Sequence, residues 1–280
     1  MRFKIGNDII LGGDSAYKLV SPISGLSAPA IRTADGVYAG VDGGYVSSQL
    51  YGFRTITLSG FYKGESCQEA DDLRLGLMNK LHIRQNYPIM ISTFSGRNYY
   101  TEGFIADVKS DITMPTAGEF QITLICPDPI IYDGGDGTSP QSSLLQQVFY
   151  KEKPGGFTIP SDMPVQWISG QVATSIMNTG SVEVYPLIIL KGTYTNPKIT
   201  NIVTNENIKM NLTISGDSEL RIDMKKRIIT LNGVSVASSR ALDSTWWSLK
   251  RGENRIVLET NKQTDTDFGT IIWRNGFEGI

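Results

Sequence analysis

The residues that could do nucleophilic or acid–base chemistry are few in this sequence. His82 is the only histidine, so a Ser-His-Asp or Cys-His arrangement would depend on one residue at the end of a predicted helix. Cys67 and Cys126 are the only cysteines, too few for a disulfide framework or a cysteine-based zinc cluster. Glycoside hydrolysis needs two carboxylates about 5 to 10 Å apart in a cleft, whereas the neighbours Asp265 and Asp267 indicate only a solvated turn. We predict no catalytic residues and no enzymatic activity.

One short stretch has the residue types of a cation site. Residues 133–137 read Asp-Gly-Gly-Asp-Gly, which offers calcium oxygen ligands but lacks the distant glutamate of an EF-hand loop. A flexible linker has the same composition, and we favour that interpretation. The glycine-rich stretches do not open a helix as phosphate-binding loops do. The sequence therefore predicts no metal site and no cofactor.

A tandem pair of tryptophans is the candidate platform for a sugar. Trp246 and Trp247 have flat aromatic faces that pack well on saccharide rings. Adjacent residues of a strand face opposite sides of a sheet, so at most one of them is exposed while the other fills the core. Carbohydrate binding through Trp246 or Trp247 is thus an open alternative.

The charge balance narrows the choice of partners. The 280 residues include 26 basic and 28 acidic side chains, which leaves no excess positive charge to neutralise phosphates or an anionic membrane. The first eight residues contain charged residues and a glycine and include no apolar stretch of the length found in signal peptides. No apolar run elsewhere approaches the ~20 residues needed to span a membrane. We expect synthesis in the cytoplasm and neither nucleic acid nor membrane as a partner.

The pattern of apolar residues predicts a mainly β fold. Segments 54–61, 119–125 and 209–214 alternate apolar with polar residues at period two, as half-buried strands do. Segment 227–234 ends in Asn232-Gly233, a dipeptide that favours a two-residue hairpin turn. Glycine accounts for 29 residues and falls mostly between such segments, as tight turns require.

One helix interrupts the strands, at residues 66–82. Its apolar residues recur at spacings of three and four and form one stripe: Ala70, Leu73, Leu77 and Leu81. Ser66 and Glu69 have the spacing of a capping box, in which each side chain bonds the other residue's backbone N–H. The charges of the helix suit its dipole and require no ligand.

A break in the pattern predicts two domains. Two prolines end the strand at Cys126, and a stretch rich in Gly, Asp and Ser follows. We place one domain at residues 1–135 and the other at residues 136–280. Strands return after Val182 at a spacing of roughly 8 to 12 residues, which is typical of a β-sandwich.

The order of several short motifs resembles one family, the distal tail (baseplate hub) proteins of long-tailed siphophages. These motifs are RTITLSG (54–60), DLRL in the helix (72–75), PDPIIY (127–132), NTG (178–180), VYPLI (184–188), NPKI (196–199), SGD (215–217), LRID (220–223), LNG (231–233), STWWSL (244–249) and RGENRI (251–256). The similarity extends over nearly the whole chain.

The resemblance implies a tail-tube-like N-terminal β-barrel or sandwich with one packed helix, and a galectin-like C-terminal β-sandwich. It also implies a homohexameric ring at the virion tail tip. The implied partners are the tail tube protein above, and the tail-associated lysin or fibre protein and receptor-binding or accessory baseplate proteins below. Galectins use a histidine to bind sugar, and the second domain has none. A structural hub is therefore our first hypothesis, and a host cell-wall carbohydrate-binding protein is the alternative.

A ring needs one patch that meets a different patch on its neighbour. Residues 30–49 are our candidate, because glycines there punctuate aromatic and β-branched side chains. The candidate interface residues are Val37, Tyr38, Val41, Tyr45 and Val46. A mobile surface loop without a partner is the alternative interpretation of this segment.

Overall fold

The computed structural model describes residues 1–149, 173–260 and 268–280, so Asp265 and Asp267 lie outside the described residues. Within them the fold is mainly β with a single α-helix, which confirms the predicted fold class. The chain forms two compact units, Met1–Ser143 with Gly276–Ile280 and Leu144–Asn275. The boundary predicted after residue 135 falls inside the first unit, where Ser142 Oγ still donates to the Gly134 carbonyl at 3.2 Å. No described helix has the length and apolar character needed to cross a membrane.

The first unit is built from short and long strands and one helix. In chain order its elements are β1 (Arg2–Ile5), β2 (Ile9–Gly12), β3 (Tyr17–Ser24), β4 (Ile31–Val37), β5 (Gly44–Tyr51), β6 (Arg54–Lys63), α1 (Cys67–Lys80), β7 (Asn86–Ser92), β8 (Asn98–Met114), β9 (Ala117–Cys126), β10 (Ile131–Asp133) and the C-terminal β23 (Gly276–Phe277).

Seven of these strands close into a barrel in the order β8-β7-β1-β2-β3-β6-β9, because β9 pairs back onto β8. The predicted alternation holds in β6 and β9, which pair over their full length. Their inward side chains, including Ile56, Leu58, Ile122 and Leu124, are fully buried in the barrel core. Beside the barrel, β10 joins β8 to β23, so the C-terminal residues return to the first unit.

Helix α1 packs against β6, β8 and β9. Ala70 and Leu77 on the predicted apolar stripe are buried, and the Ser66 hydroxyl accepts from the Glu69 N–H at 3.2 Å as predicted. The other half of the capping box was wrong, because the Glu69 carboxylate accepts from the N–H of Glu65 at 2.6 Å, one residue before Ser66. In both arrangements the Ser66 and Glu69 side chains accept hydrogen bonds from backbone N–H groups at or just before the start of the helix.

The second unit contains two main antiparallel sheets. Its strands are β11 (Leu145–Phe149), β12 (Thr174–Asn178), β13 (Leu187–Lys191), β14 (Tyr194–Thr195), β15 (Lys198–Asn201), β16 (Glu206–Lys209), β17 (Thr213–Ile214), β18 (Glu219–Asp223), β19 (Ile228–Leu231), β20 (Val234–Ser235), β21 (Gly252–Glu259) and β22 (Phe268–Trp273). Six form the sheet β11-β22-β13-β18-β19-β20, and four form β12-β21-β15-β16.

Two strand predictions in this unit have different outcomes. The Asn232-Gly233 hairpin is confirmed, since both residues have positive φ (50° and 83°) and Leu231 pairs with Val234. The single strand predicted at 209–214 was wrong. It is split into β16 and β17, because the chain changes partners between them: β16 pairs with β15, and β17 pairs with β14.

Candidate assembly interface

The predicted interface segment folds as a β-hairpin. Strands β4 and β5 pair from Ile31 opposite Tyr51 to Val37 opposite Gly44, with a register shift after Ala34. Gly40 and Gly43 adopt φ of 77° and 101° in the connecting turn, a backbone conformation that side chains rarely tolerate. Strands β4 and β5 thus form a regular two-stranded element joined by a glycine-containing turn.

All five predicted interface residues lie on this hairpin and are exposed. The exposed fractions are 86% for Val37, 51% for Tyr38, 67% for Val41, 53% for Tyr45 and 58% for Val46. The structure therefore brings them together on one element with large apolar surfaces in solvent. A scattered exposed apolar residue is ordinary, but a cluster of this kind is typical of a protein–protein contact.

The register distributes these side chains over two faces of the hairpin. Val46 is opposite Asp35, so it shares a face with Val37 and Ile31. Tyr45 is opposite Gly36 on the other face, where its ring lies 5.8 Å from the Tyr38 ring. Both faces are open to solvent, because every residue of β4 and β5 except the partly buried Gly36 is exposed. An isolated two-stranded hairpin is at best marginally stable in water, so a partner surface would stabilise this one.

Arg54, at the start of β6, is a buried residue that the sequence analysis did not single out. Its side chain is 1% exposed, and its guanidinium donates to the carbonyls of Pro129 (2.7 Å), Gly25 (2.6 Å), Ser27 (2.6 Å) and Glu278. Burial lowers the pKa of the Arg54 guanidinium. The period-two pattern was the available signal, since it places Arg54 on the same inward face as Ile56 and Leu58.

The tryptophan pair offers at most half of one ring to a ligand. Trp247 is 1% exposed and fills the core of the second unit, whereas Trp246 is half-buried with the Arg240 guanidinium 5.6 Å from its ring centre. The segment is not the strand we expected: Leu249 forms an isolated bridge with Val184, and the Thr245 N–H donates to the Asn207 carbonyl at 2.8 Å. The two rings still differ in burial as predicted.

The carboxylates of the candidate calcium stretch make local hydrogen bonds. The Asp133 carboxylate accepts from the Gly135 N–H at 2.8 Å, and that of Asp136 accepts from the Thr138 N–H (2.9 Å) and hydroxyl (2.7 Å). The bonds from Thr138 lower the pKa of Asp136. These hydrogen bonds close local turns within the first unit. His82 is exposed at the end of the helix. No group of three or more potential metal-binding side chains occurs among the described residues.

Comparison with known proteins finds similar sequences and similar folds. Residues 179–277 match the family described as siphovirus-type tail component, C-terminal domain. The distal tail protein of Bacillus phage SPP1 is 24% identical over 251 residues, which cover 89% of this chain and 88% of that protein. Its crystal structure, described as a hub of the adsorption apparatus, superposes with a TM-score of 0.66 at 18% identity over 98% of this chain and 99% of the other. A chain of the activated phage P2 baseplate superposes with a TM-score of 0.50 at 12% identity over 98% of each chain. Residues 179–277 therefore match the C-terminal domain of the siphovirus-type tail components, and nearly the whole chain is similar to the distal tail protein of phage SPP1, in agreement with the resemblance in its sequence.

Proposed function

We propose that this protein is a structural component of a phage tail tip, or baseplate, and that six copies form a ring that joins the tail tube to the proteins below it. The observation that carries this proposal is the β4–β5 hairpin, which presents five apolar or aromatic side chains to solvent without a covering layer. The similarity to distal tail proteins supports the location at the tail tip.

The hairpin suits a ring because its contact is directional. A ring of identical copies requires each copy to offer one patch and accept a different patch from its neighbour. A hairpin that projects its strands provides the first patch, and unpaired strand edges are effective in such contacts. The second unit would then serve as a docking platform for fibre, receptor-binding or accessory proteins. The function is geometric and requires no catalytic residue.

The apolar side chains of the hairpin are large enough to drive this contact. Complete burial of a valine gives about 1.5 to 3 kcal/mol relative to full exposure. Val37, Val41 and Val46 are all more than half exposed, so each has most of that free energy available on association. Loss of translational and rotational freedom offsets part of the gain.

The test combines sedimentation velocity with negative-stain imaging of the purified chain. The wild-type protein should form a closed ring of six copies, and replacement of residues 37–44 by Asn-Gly should abolish it while the barrel stays folded. The inserted dipeptide closes a two-residue turn between the paired residues Gly36 and Tyr45.

Leu242→Asp is the matched control, because Leu242 is fully exposed on the second unit and lies outside the proposed contact. A ring that persists with the shortened hairpin would refute the interface, and a wild-type chain that is monomeric in solution and absent from tail particles would refute the proposed function.

A further inference from the structure

We propose that residues 276–280 act as a latch that fixes the β4–β5 hairpin on the barrel, so that the hairpin takes a defined orientation only when the chain returns from the second unit. These five residues are called the latch below. The latch is a device within one copy, and its effect on the hairpin does not depend on the proposed function. Only the consequence for ring formation rests on that function.

The hairpin has little packing of its own to hold it in place. Almost the whole of both strands is exposed, and Phe53, which follows β5, is 67% exposed. The base of the hairpin is closed by the Gly52 N–H, which donates to the Ala30 carbonyl at 2.7 Å. The orientation of the hairpin therefore depends on two short segments. They are called the entry segment, residues 25–30, and the exit segment, residues 51–54.

The latch bonds the exit segment through both its backbone and a side chain. The Glu278 carbonyl accepts from the Arg54 guanidinium, and the Glu278 carboxylate accepts from the Tyr51 hydroxyl. The hydrogen bond to Glu278 raises the pKa of Tyr51, because it stabilises the protonated hydroxyl. Tyr51 is the last residue of β5 and Arg54 is the first of β6. One residue of the latch thus holds the exit segment at both of its ends.

The latch also holds the entry segment. The Ile280 N–H donates to the carbonyl of the buried Leu26 at 2.9 Å. Gly279 lies so close to this segment that a Cβ atom on it would meet the Ser27 carbonyl carbon at 3.0 Å, which is tighter than ordinary contact. The Arg54 guanidinium donates to the Ser27 carbonyl at 2.6 Å as well. The entry segment, the exit segment and the latch are therefore joined by one set of hydrogen bonds.

The chain that supplies the latch is fixed immediately before it. Strand β23 pairs with β10, and the Phe277 ring lies edge-on to the Tyr99 ring at 5.6 Å. Only residues 274–275 connect β22 of the second unit to β23. Asn275 is 5% exposed, and its side chain accepts from the Thr179 N–H at 3.1 Å within the second unit. The connection has little slack, so the position of β22 determines where the latch begins.

This arrangement makes the order of the hairpin depend on residues that follow the second unit in the sequence. Without the latch, the hairpin would keep its own strand pairing but lose the bonds that fix its two connecting segments. An element that is fixed before it binds a partner loses less conformational entropy on binding. The latch therefore restricts a preorganised hairpin to chains that are complete through β22 and β23.

A distance measurement within one copy tests the latch. Spin labels are placed on the exposed native Cys67 in α1 and on Ser48→Cys in β5, while the buried Cys126 stays unlabelled. The protein carries the Asn-Gly replacement of residues 37–44, and labelled copies are diluted with unlabelled ones, so contacts between copies do not contribute. Double electron–electron resonance should give one narrow distance distribution with the latch intact. A chain that ends at Phe277 should give a broad distribution.

Single substitutions locate the effect. Tyr51→Phe removes only the bond from the hydroxyl to Glu278, so it should broaden the distribution less than the chain that ends at Phe277. It carries the test by itself if the shorter chain does not fold. Glu278→Gln keeps an acceptor oxygen and should leave the distribution narrow. Tyr185→Phe is the matched control, because Tyr185 is an exposed tyrosine of the second unit. Hydrogen exchange in β6 and β9 should show a folded barrel in every variant.

The outcomes separate the latch from the proposed function. A distribution that stays narrow without residues 278–280 would overturn the latch, and so would equal broadening by Tyr51→Phe and Tyr185→Phe. In the chain with the full hairpin, loss of residues 278–280 should weaken ring formation by on the order of 10-fold, the factor expected when about a tenth of the copies hold the competent orientation. A wild-type chain that never forms a ring would refute the proposed function and leave the latch standing.

Discussion

The Arg54→Met substitution tests how one buried guanidinium joins three segments of the first unit. Arg54 is buried, and its guanidinium donates to four backbone carbonyls, those of Gly25, Ser27, Pro129 and Glu278. These carbonyls belong to three separate parts of the chain. Methionine keeps a similar volume but donates no hydrogen bond. The substitution should therefore loosen the loop after β3, the segment before β10 and the C-terminal strand together.

The magnitude follows from the balance of two terms. A hydrogen bond from a charged donor stabilises by about 1.5 to 3 kcal/mol, so four of them outweigh most single contacts in a domain. The guanidinium is itself costly to bury, as the lowered pKa of Arg54 indicates, and methionine removes that cost. Buried carbonyls left without donors remain costly, and we expect a net loss of about 3 to 5 kcal/mol in the free energy of unfolding of the first unit.

Urea unfolding and hydrogen exchange measure the two parts of this prediction. The unfolding midpoint of the first unit should fall, and amide protection should be lost first at Ile280, whose N–H donates to the Leu26 carbonyl at 2.9 Å. The matched control is Arg221→Met, because Arg221 is half-exposed and makes a surface ion pair with Glu219 worth at most about 1 kcal/mol. An Arg54→Met protein as stable as the control, or one whose Ile280 amide keeps its protection, would refute the reasoning.

Two further predictions concern the cysteines and one ion pair. Iodoacetamide at pH 8 should alkylate only the exposed Cys67 in the folded protein, because Cys126 is enclosed and burial raises its pKa to about 11; a second label without denaturant would contradict this. The Lys250 ammonium and the Ser248 hydroxyl donate to the Glu183 carboxylate and lower its pKa, so this stabilisation is present above the ordinary glutamate value of 4.5 and is lost as the pH falls through the folded-state value. Glu183→Gln should therefore cost up to about 1 kcal/mol at pH 7 and less at pH 3, and an equal loss at both pH values in urea unfolding would exclude this origin.

Local patterns in the sequence were sufficient for the elements whose form depends on nearby residues. The spacing of Ala70 and Leu77 predicted the helix, and Asn232-Gly233 predicted a hairpin turn, because both depend on contacts within a few positions. The same reasoning identified residues 30–49 as unusual from glycines that punctuate aromatic and β-branched side chains. It did not predict a regular hairpin there, since the register of β4 and β5 includes a shift that composition does not reveal.

The features that were missed depend on contacts between distant residues. Arg54 bonds to residues up to 224 positions away, and no local pattern indicates where those carbonyls lie. Gly276–Phe277 likewise pairs with Ile131–Tyr132 in the first unit, although the sequence of the second unit separates the two strands. The break between β16 and β17 comes from a change of partner strands, which a period-two pattern cannot distinguish from continuous pairing.

The exposed hairpin has a physical consequence for the proposed assembly. A two-stranded hairpin without a covering layer contributes little stability to its own copy. Under the proposed function, contact with a neighbouring copy stabilises it. In an open chain of copies the hairpin of one terminal copy would remain uncovered, whereas a closed ring would cover the hairpins of all copies. On this proposal the preference for a closed ring follows from the free energy of the uncovered hairpin.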